Sequence, residues 1–420
     1  MESKARTRRQ GRELVENRAV SRACPAECPL QTLIVLRREQ QGLHEMISKS
    51  MQNCDVAVIG AGVIGEAITY ELVTRGASVT LVDCRGAGLG STQAAAGMLV
   101  PYLEGFGRPI LPLARRSLDM YDAFVDRVSR DAGIGVSYRR TGSLQVVTAD
   151  EPRDELAQIL EDSRGAGLDV ELLDAKAAHD AEPQLTPDVS AALLVKAHGF
   201  VSAHELSGAL AAASIKHGAR VRVPARAQRI ASRGEDVEVQ LEHDAPITAR
   251  HVVLAAGSWS GQIDIDGVPP VPVKPVRGQL LQLAFDGPPL NRIVWGPRCY
   301  LVPISPSSVL VGATVEDAGF DERTTVAGVR DLLDGACDLV PHLWQATFVG
   351  ARVGLRPATA DEMPIIGRST KLRGLVYATG HYRNGVLLAP LTAHAVADLV
   401  LENREDPLLA ATRPQRFGEY

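Results

Sequence analysis

Residues 54–83 read CDVAVIGAGVIGEAITYELVTRGASVTLVD, and no other stretch limits the fold as strongly. The run 54–59 is short, apolar and rich in β-branched residues, as a buried parallel strand should be. Gly60, Gly62 and Gly65 follow it in the pattern G-x-G-x-x-G. In such a unit the first glycine allows the tight turn, the second lets a pyrophosphate approach the backbone, and the third lets the helix pack close to the sheet. The spacing predicts a helix over 65–75, with Ile64, Ile68 and Leu72 on one face and Gly76 as its stop. A second strand is expected over 79–82, with Asp83 at its end. The helix N-terminus offers N–H groups to a phosphate. Asp83 stands about twenty residues beyond the glycines, where a carboxylate accepts from a ribose diol and disfavours a 2′-phosphate. The alternative is a glycine-rich turn that binds nothing.

The 420 residues suffice for two domains or one large two-lobed unit. A formal net charge of −5 leaves no basic footprint for nucleic acid. No apolar run is expected to reach the roughly 18 residues of a membrane span. Cys24, Cys28, Cys54, Cys84, Cys299 and Cys337 are scattered, which suggests reduced thiols in a cytoplasmic enzyme. Residues 1–50 are arginine-rich without a globular pattern. They read as a disordered extension or an upstream start, with Met46 and Met51 as natural starts, and are set aside from the fold argument.

Beyond Asp83 the run Ser91, Thr92, Gln93, Ala94, Ala95, Ala96, Gly97, Met98 has side chains small enough for a backbone to lie along an extended ligand. It also fits the start of an alanine-rich helix capped by Ser91. Helices are expected over 113–132, 151–166, 173–182 and 204–217, the last capped by Ser202. Strands are expected over 138–148 with a kink at Thr141 and Gly142, and at 191–195, 221–223, 236–241 and 251–257, the last ending in small residues. Short turn-separated strands between 277 and 314 indicate a mostly antiparallel sheet. A helix over 326–340, strands at 352–354 and 375–379, a loop at 380–385 and an apolar helix over 386–402 follow. The fold class is α/β with an α+β substrate lobe. Residues 51–105, 190–265 and 345–410 are expected in a discontinuous nucleotide-binding domain, and 106–189 and 266–344 in a substrate domain.

Arg356 and Arg383 lie in glycine-flanked corners, and an arginine fork suits a carboxylate. Tyr300 stands on a strand of the inserted sheet, where its hydroxyl is a third donor. Each has an ordinary reading as well, the arginines as surface ion pairs and the tyrosine as packing. No Ser–His–Asp set, H-E-x-x-H, Walker loop or metal-ligand cluster is apparent. His381 follows Gly380 but stands alone. The chemistry therefore points to a bound cofactor.

The segments VAVIGAGVIG, STQAAAGML, VVLAAGSWSG, VPVKPVRGQLL, CYLVPI, VGAT, GLRPATADEMPIIG and ATGHYRNGVLLAP make the chain similar to the D-amino acid oxidase family of FAD enzymes over nearly all of 53–405. GHYRNGVLLAP and AAAGML are closest to members that oxidise glycine for thiamine biosynthesis. The resemblance implies a Rossmann-like FAD-binding domain of the glutathione-reductase type. It implies non-covalent FAD, since no cysteine stands at 354–356, where related enzymes attach the flavin. Val63 and Ile64 would lie under the pyrophosphate, and Asp83 and Cys84 at the adenosine ribose. Ser91, Thr92, Ala96, Gly97 and Met98 would line the path to the flavin, and Ala227 would meet the adenine through its backbone. His381, Tyr382, Arg383, Asn384, Gly385, Val386 and Leu387 would run along the flavin. Arg356 and Arg383, with Tyr300 and Met98, would bind the substrate. No protein base is obligatory, because the flavin N5 takes a hydride. The implied reaction is oxidation of glycine, sarcosine or D-alanine by dioxygen, with thiazole synthase as a partner and a homo-oligomeric state. The alternatives are a D-amino acid dehydrogenase with a quinone acceptor and a non-catalytic FAD-binding subunit. Arg298, just upstream of Tyr300, departs from the family pattern and is expected to affect substrate access.

Overall fold

The computed structural model describes residues 53–104, 109–148, 154–165 and 169–420. The extension 1–50, with Cys24 and Cys28, lies outside them, as do the ends of the helix expected over 151–166.

Asn53–Ile59 is the central strand of a nine-stranded sheet, parallel to Val79–Val82 on one side and Ile247–Leu254 on the other. Its last four residues are all buried. Leu375–Thr379 adds a parallel strand beside Ile247–Leu254. An antiparallel pair, Ala227–Arg233 and Asp236–Leu241, extends the sheet. The helix Val63–Thr74 covers the strand ends and packs with Ala203–Lys216 and Gly385–Ala397 over one apolar core. It begins two residues before the expected start. Gly62, in extended conformation with φ −77°, serves as the N-cap.

The second sheet has eight strands, in the order Thr347–Ala358, Lys274–Ala284, Ser308–Gly312, Tyr300–Ser305, Ile293–Trp295, Ser143–Thr148, Val189–Val195, Val170–Asp174. All neighbours are antiparallel except Ile293–Trp295 beside Ser143–Thr148. Val189–Val195 and Thr347–Ala358 hydrogen-bond into this sheet, although the expected ranges group 190–265 and 345–410 with the nucleotide-binding domain.

Three local expectations are corrected. Leu173 belongs to the strand Val170–Asp174, and the helix starts only at Ala175, where the Asp174 side chain accepts from the Ala177 N–H at 2.8 Å. Pairing with the wholly buried strand Val189–Val195 outweighs the helical spacing of 173–182. The run 138–148 divides between two sheets, breaking at Gly142 with φ +78°. Tyr382–Glu402, 21 residues, is long and apolar enough to cross a bilayer, contrary to the expected absence of such a run. The protein itself buries 83% of its apolar window, which makes it a core helix.

Candidate functional site

A cavity of about 550 Å³ runs from the glycine loop of the first sheet to the second sheet. At its nucleotide end the helix Val63–Thr74 receives no cap from its own N-cap residue, Gly62, which has no side chain. Thr92 Oγ1 accepts from the Val63 N–H at 3.0 Å and fixes the first turn against the run 91–97. A Cβ on Gly62 would meet nothing nearer than Thr92 Oγ1 at 3.5 Å, so the space above this residue is the cavity itself. Gly65 differs, because a Cβ there would lie 1.8 Å from the Gly60 carbonyl oxygen. It serves the close helix–strand contact and does not line the cavity. The Asp83 carboxylate binds the loops on either side of it. It accepts from the N–H groups of Ala61 at 2.8 Å, Arg85 at 2.6 Å and Gly86 at 2.9 Å. A carboxylate has roughly four acceptor sites, so one is left for a ribose hydroxyl.

Glu66 lies beneath this loop with no solvent exposure. Ser207 Oγ donates to its Oε2, while Oε1 has no partner. Burial pushes its carboxyl up to about 8; the Ser207 hydrogen bond opposes the shift and the Asp83 charge adds to it. Glu66 is therefore neutral at pH 7.

At the other end Tyr300, Arg356, Tyr382, Arg383 and Met98 line the same cavity. Arg356 is carried on Thr347–Ala358, and two hydroxyls anchor this strand by its Leu355 carbonyl. Ser258 donates to that carbonyl at 2.8 Å, and Ser91 does so as well. The Arg356 Nη1 donates to the carbonyls of Thr314 at 3.0 Å and Arg277 at 3.4 Å. Among the described residues no carboxylate pairs with Arg356. Its guanidinium crosses Gly278, where a Cβ would approach within 2.2–2.4 Å. Tyr300 lies likewise over Gly312 and against Trp295, with ring centroids 5.3 Å apart. Arg383 lies over the Tyr382 ring at 5.2 Å. Tyr382 has φ +50°, a strained backbone state that clusters at ligand sites. His381 is buried, and burial lowers its pKa to about 3, so it stays neutral and supplies no proton near neutral pH.

Gly60, Gly62, Val63, Ile64, Asp83, Cys84, Ser91, Thr92, Ala96, Gly97, Ala227, His381, Gly385 and Val386 also line the cavity. Asn384 and Leu387 are buried beside it without lining it. Arg298 is turned away: it pairs with Asp338 at 2.6 Å and is not among the lining residues, which removes the expected influence on access. A Cβ on Gly354 would press on Ala94 Cβ at 3.0 Å and Ser91 Cα at 3.2 Å, so no side chain fits there without displacement. Sequence reasoning missed Trp259 and Arg85, which line the nucleotide end. The Arg85 guanidinium lies 4.2 Å from the Trp259 ring centroid and pairs with Glu322 at 2.8 Å. The segment GSWSG displays Trp259, but only the fold shows which side chain reaches it.

The helix N-terminus beyond the Thr92 contact, the bare face of Gly62 and the carboxylate of Asp83 fit a dinucleotide. The donor cluster at the far end fits an anionic substrate. Fold and site thus define a flavin-dependent oxidoreductase. Residues 55–399 match the family described as FAD dependent oxidoreductase (DAO), and the chain belongs to that family. It is 36% identical over 349 residues to the glycine oxidase of Geobacillus kaustophilus, covering 82% of this chain and 92% of that protein. It is 36% identical to the bifunctional protein ThiO/ThiG of Nostoc sp., covering 85% of this chain but only 54% of that longer protein. The crystal structure of glycine oxidase from Geobacillus kaustophilus superposes with a TM-score of 0.83 at 34% identity, over 87% of this chain and 99% of that one.

Proposed function

We propose that the protein oxidises glycine, and with it sarcosine and D-alanine. The glycine reaction consumes dioxygen and water and yields glyoxylate, ammonia and hydrogen peroxide. The observation that carries this reading is Arg356, a half-buried guanidinium that lines the cavity beside Tyr300 and Arg383 with no acidic partner among the described residues. The named relatives support the choice of substrate.

Bound FAD supplies the two-electron oxidation of the amine and the reactivity toward dioxygen. Val63, Ile64 and the helix end would hold its pyrophosphate, Asp83 its ribose, and the turn 381–386 its flavin side. Arg356 and Arg383 grip the substrate carboxylate through charge-assisted hydrogen bonds, with the Tyr300 hydroxyl as a further donor. This fixes the orientation of the α-carbon. Met98 and the apolar walls exclude water. No side chain of this set is an obligatory base, so catalysis rests on positioning and desolvation.

Anaerobic mixing of the yellow holoenzyme with glycine, sarcosine and D-alanine tests the reading. Bleaching of the flavin band by glycine, reversed by air with release of peroxide, is expected. Bleaching that air does not reverse would instead indicate a quinone-linked dehydrogenase, and no bleaching a non-catalytic flavoprotein. The reading includes a cytoplasmic homo-oligomer and delivery of the oxidised product to a thiazole synthase. The joined ThiO/ThiG relatives support the latter.

A further inference from the structure

The segment that follows Ser308–Gly312 carries a carboxylate with no place in the reaction described so far. Glu316 is not part of the cavity lining. It nevertheless collects four hydrogen bonds from three side chains. Arg277 donates from Nη2 at 2.5 Å and from Nε at 3.2 Å, Gln279 Nε2 at 2.8 Å, and Thr314 Oγ1 at 2.5 Å. The main chains of Arg277 and Glu316 exchange two more, at 2.9 and 3.0 Å. Burial opposes the charge on Glu316, but the bonds from Thr314, Gln279 and Arg277 together outweigh it and hold the carboxyl below its ordinary range.

Two of these three side chains belong to residues whose carbonyls hold Arg356. Its Nη1 donates to Thr314 O and to Arg277 O. Thr314 and Arg277 lie on different segments, and Glu316 is the group that binds both side chains. Gln279 strengthens the link. Its N–H donates to Thr314 Oγ1 at 2.9 Å, and its amide spans from Glu316 to the main chain and hydroxyl of Thr325 at 2.9 and 2.8 Å. The distance between the two carbonyls is therefore set from outside the cavity. With Nη1 held by two carbonyls, the other guanidinium donors remain for a ligand, and their direction follows from that anchor.

We infer that Glu316 is a positioning residue for Arg356, holding the Thr314 and Arg277 carbonyls so that the guanidinium meets a substrate carboxylate in one orientation. It does not touch substrate or cofactor. The inference rests on the assignment of Arg356 as the carboxylate ligand.

The test uses holoenzymes of Glu316→Ala, Glu316→Gln and Arg356→Ala, with glycine and with glycine ethyl ester, an amine that lacks the carboxylate. In Glu316→Ala the KM for glycine should rise about tenfold, as misplacement of a binding group predicts. The kcat, the flavin content and the kcat/KM for the ester should stay close to those of the parent. Glu316→Gln, which keeps an acceptor and the volume, should restore most of the loss. Arg356→Ala should raise the glycine KM further and likewise spare the ester. Equal losses for both substrates in Glu316→Ala and Glu316→Gln would show a merely structural role and overturn the inference. So would unchanged glycine kinetics in both, alongside a selective loss in Arg356→Ala. If Arg356→Ala itself does not separate glycine from the ester, the ligand assignment fails and the inference falls with it.

Discussion

The two ends of the cavity are made of different material. At the nucleotide end the cavity is lined by Gly60, Gly62, Val63 and Ile64 of one strand–turn–helix unit, where glycines expose the backbone and Thr92 already holds the Val63 N–H. At the substrate end it is lined by the side chains of Tyr300, Arg356 and Arg383, on three separate elements, positioned by residues far away in the chain. A backbone site needs the right turn and little else, because every residue carries the same N–H group. A side-chain site needs the strands that carry it to be in register, because a slip of one residue reverses each side chain. Damage at the first end should therefore cost cofactor and fold, and damage at the second should cost substrate affinity alone.

The largest expected effect lies at Gly65. In Gly65→Ala the new Cβ would fall 1.8 Å from the Gly60 carbonyl oxygen, and both sides of that contact are backbone. Overpacking of this kind should destabilise by about 3 kcal/mol. The variant should be isolated without flavin, as absorbance and thermal unfolding would show; a yellow protein of parental stability would break the contrast.

Glu66 sharpens it, as a titrating side chain buried beneath the backbone end. Its folded pKa of about 8 lies above the ordinary 4.5, so the folded state keeps a proton that the unfolded chain releases. The proton-linked stability is fully present below the ordinary value and is lost as pH rises through the folded one. Glu66→Gln carries no such proton. Its unfolding free energy should match the parent near pH 4 and exceed it by more than about 1 kcal/mol at pH 8. A constant gap between the two proteins across that window would assign Glu66 no linked proton.

Gly278→Ala gives the smallest of these effects and the most selective. The added Cβ meets the far end of the Arg356 side chain, at 2.2–2.4 Å, and would push the guanidinium off the Thr314 and Arg277 carbonyls rather than displace backbone. The glycine KM should rise about tenfold with flavin content unchanged. Loss of flavin here would mean that the two ends are not independent.

The same contrast explains what could be read from residues alone. The unit 54–83 was legible because its turn, helix and terminal acid are neighbours in the chain, and each residue type has a local reason. Tyr300, Arg356 and Arg383 were visible as suitable side chains, but their ordinary readings outweighed the functional ones until the resemblance over 53–405 tied them together. Arg298 misled because it lies in the bend between Ile293–Trp295 and Tyr300–Ser305, where the chain reverses and sequence proximity to Tyr300 does not set the side-chain direction; Asp338 of the helix Val326–Leu339 takes its charge. Leu173 misled for a related reason, since helical spacing carries no information about a strand waiting to pair.

Residues 54–83 sufficed for a dinucleotide unit with an unphosphorylated ribose end, because glycine conformations and a strand-end carboxylate act over a few bonds. The anchoring of Arg356 by Thr314 and Arg277, its passage over Gly278 and the four-bond clasp of Glu316 were decided only in the folded molecule. Apart from the bond between Thr314 and Glu316, those contacts join residues 37 to 79 positions apart. They depend on the register of Lys274–Ala284 against Thr347–Ala358 and on the path of the segment after Ser308–Gly312, and the energy that sets both is spread over two sheets.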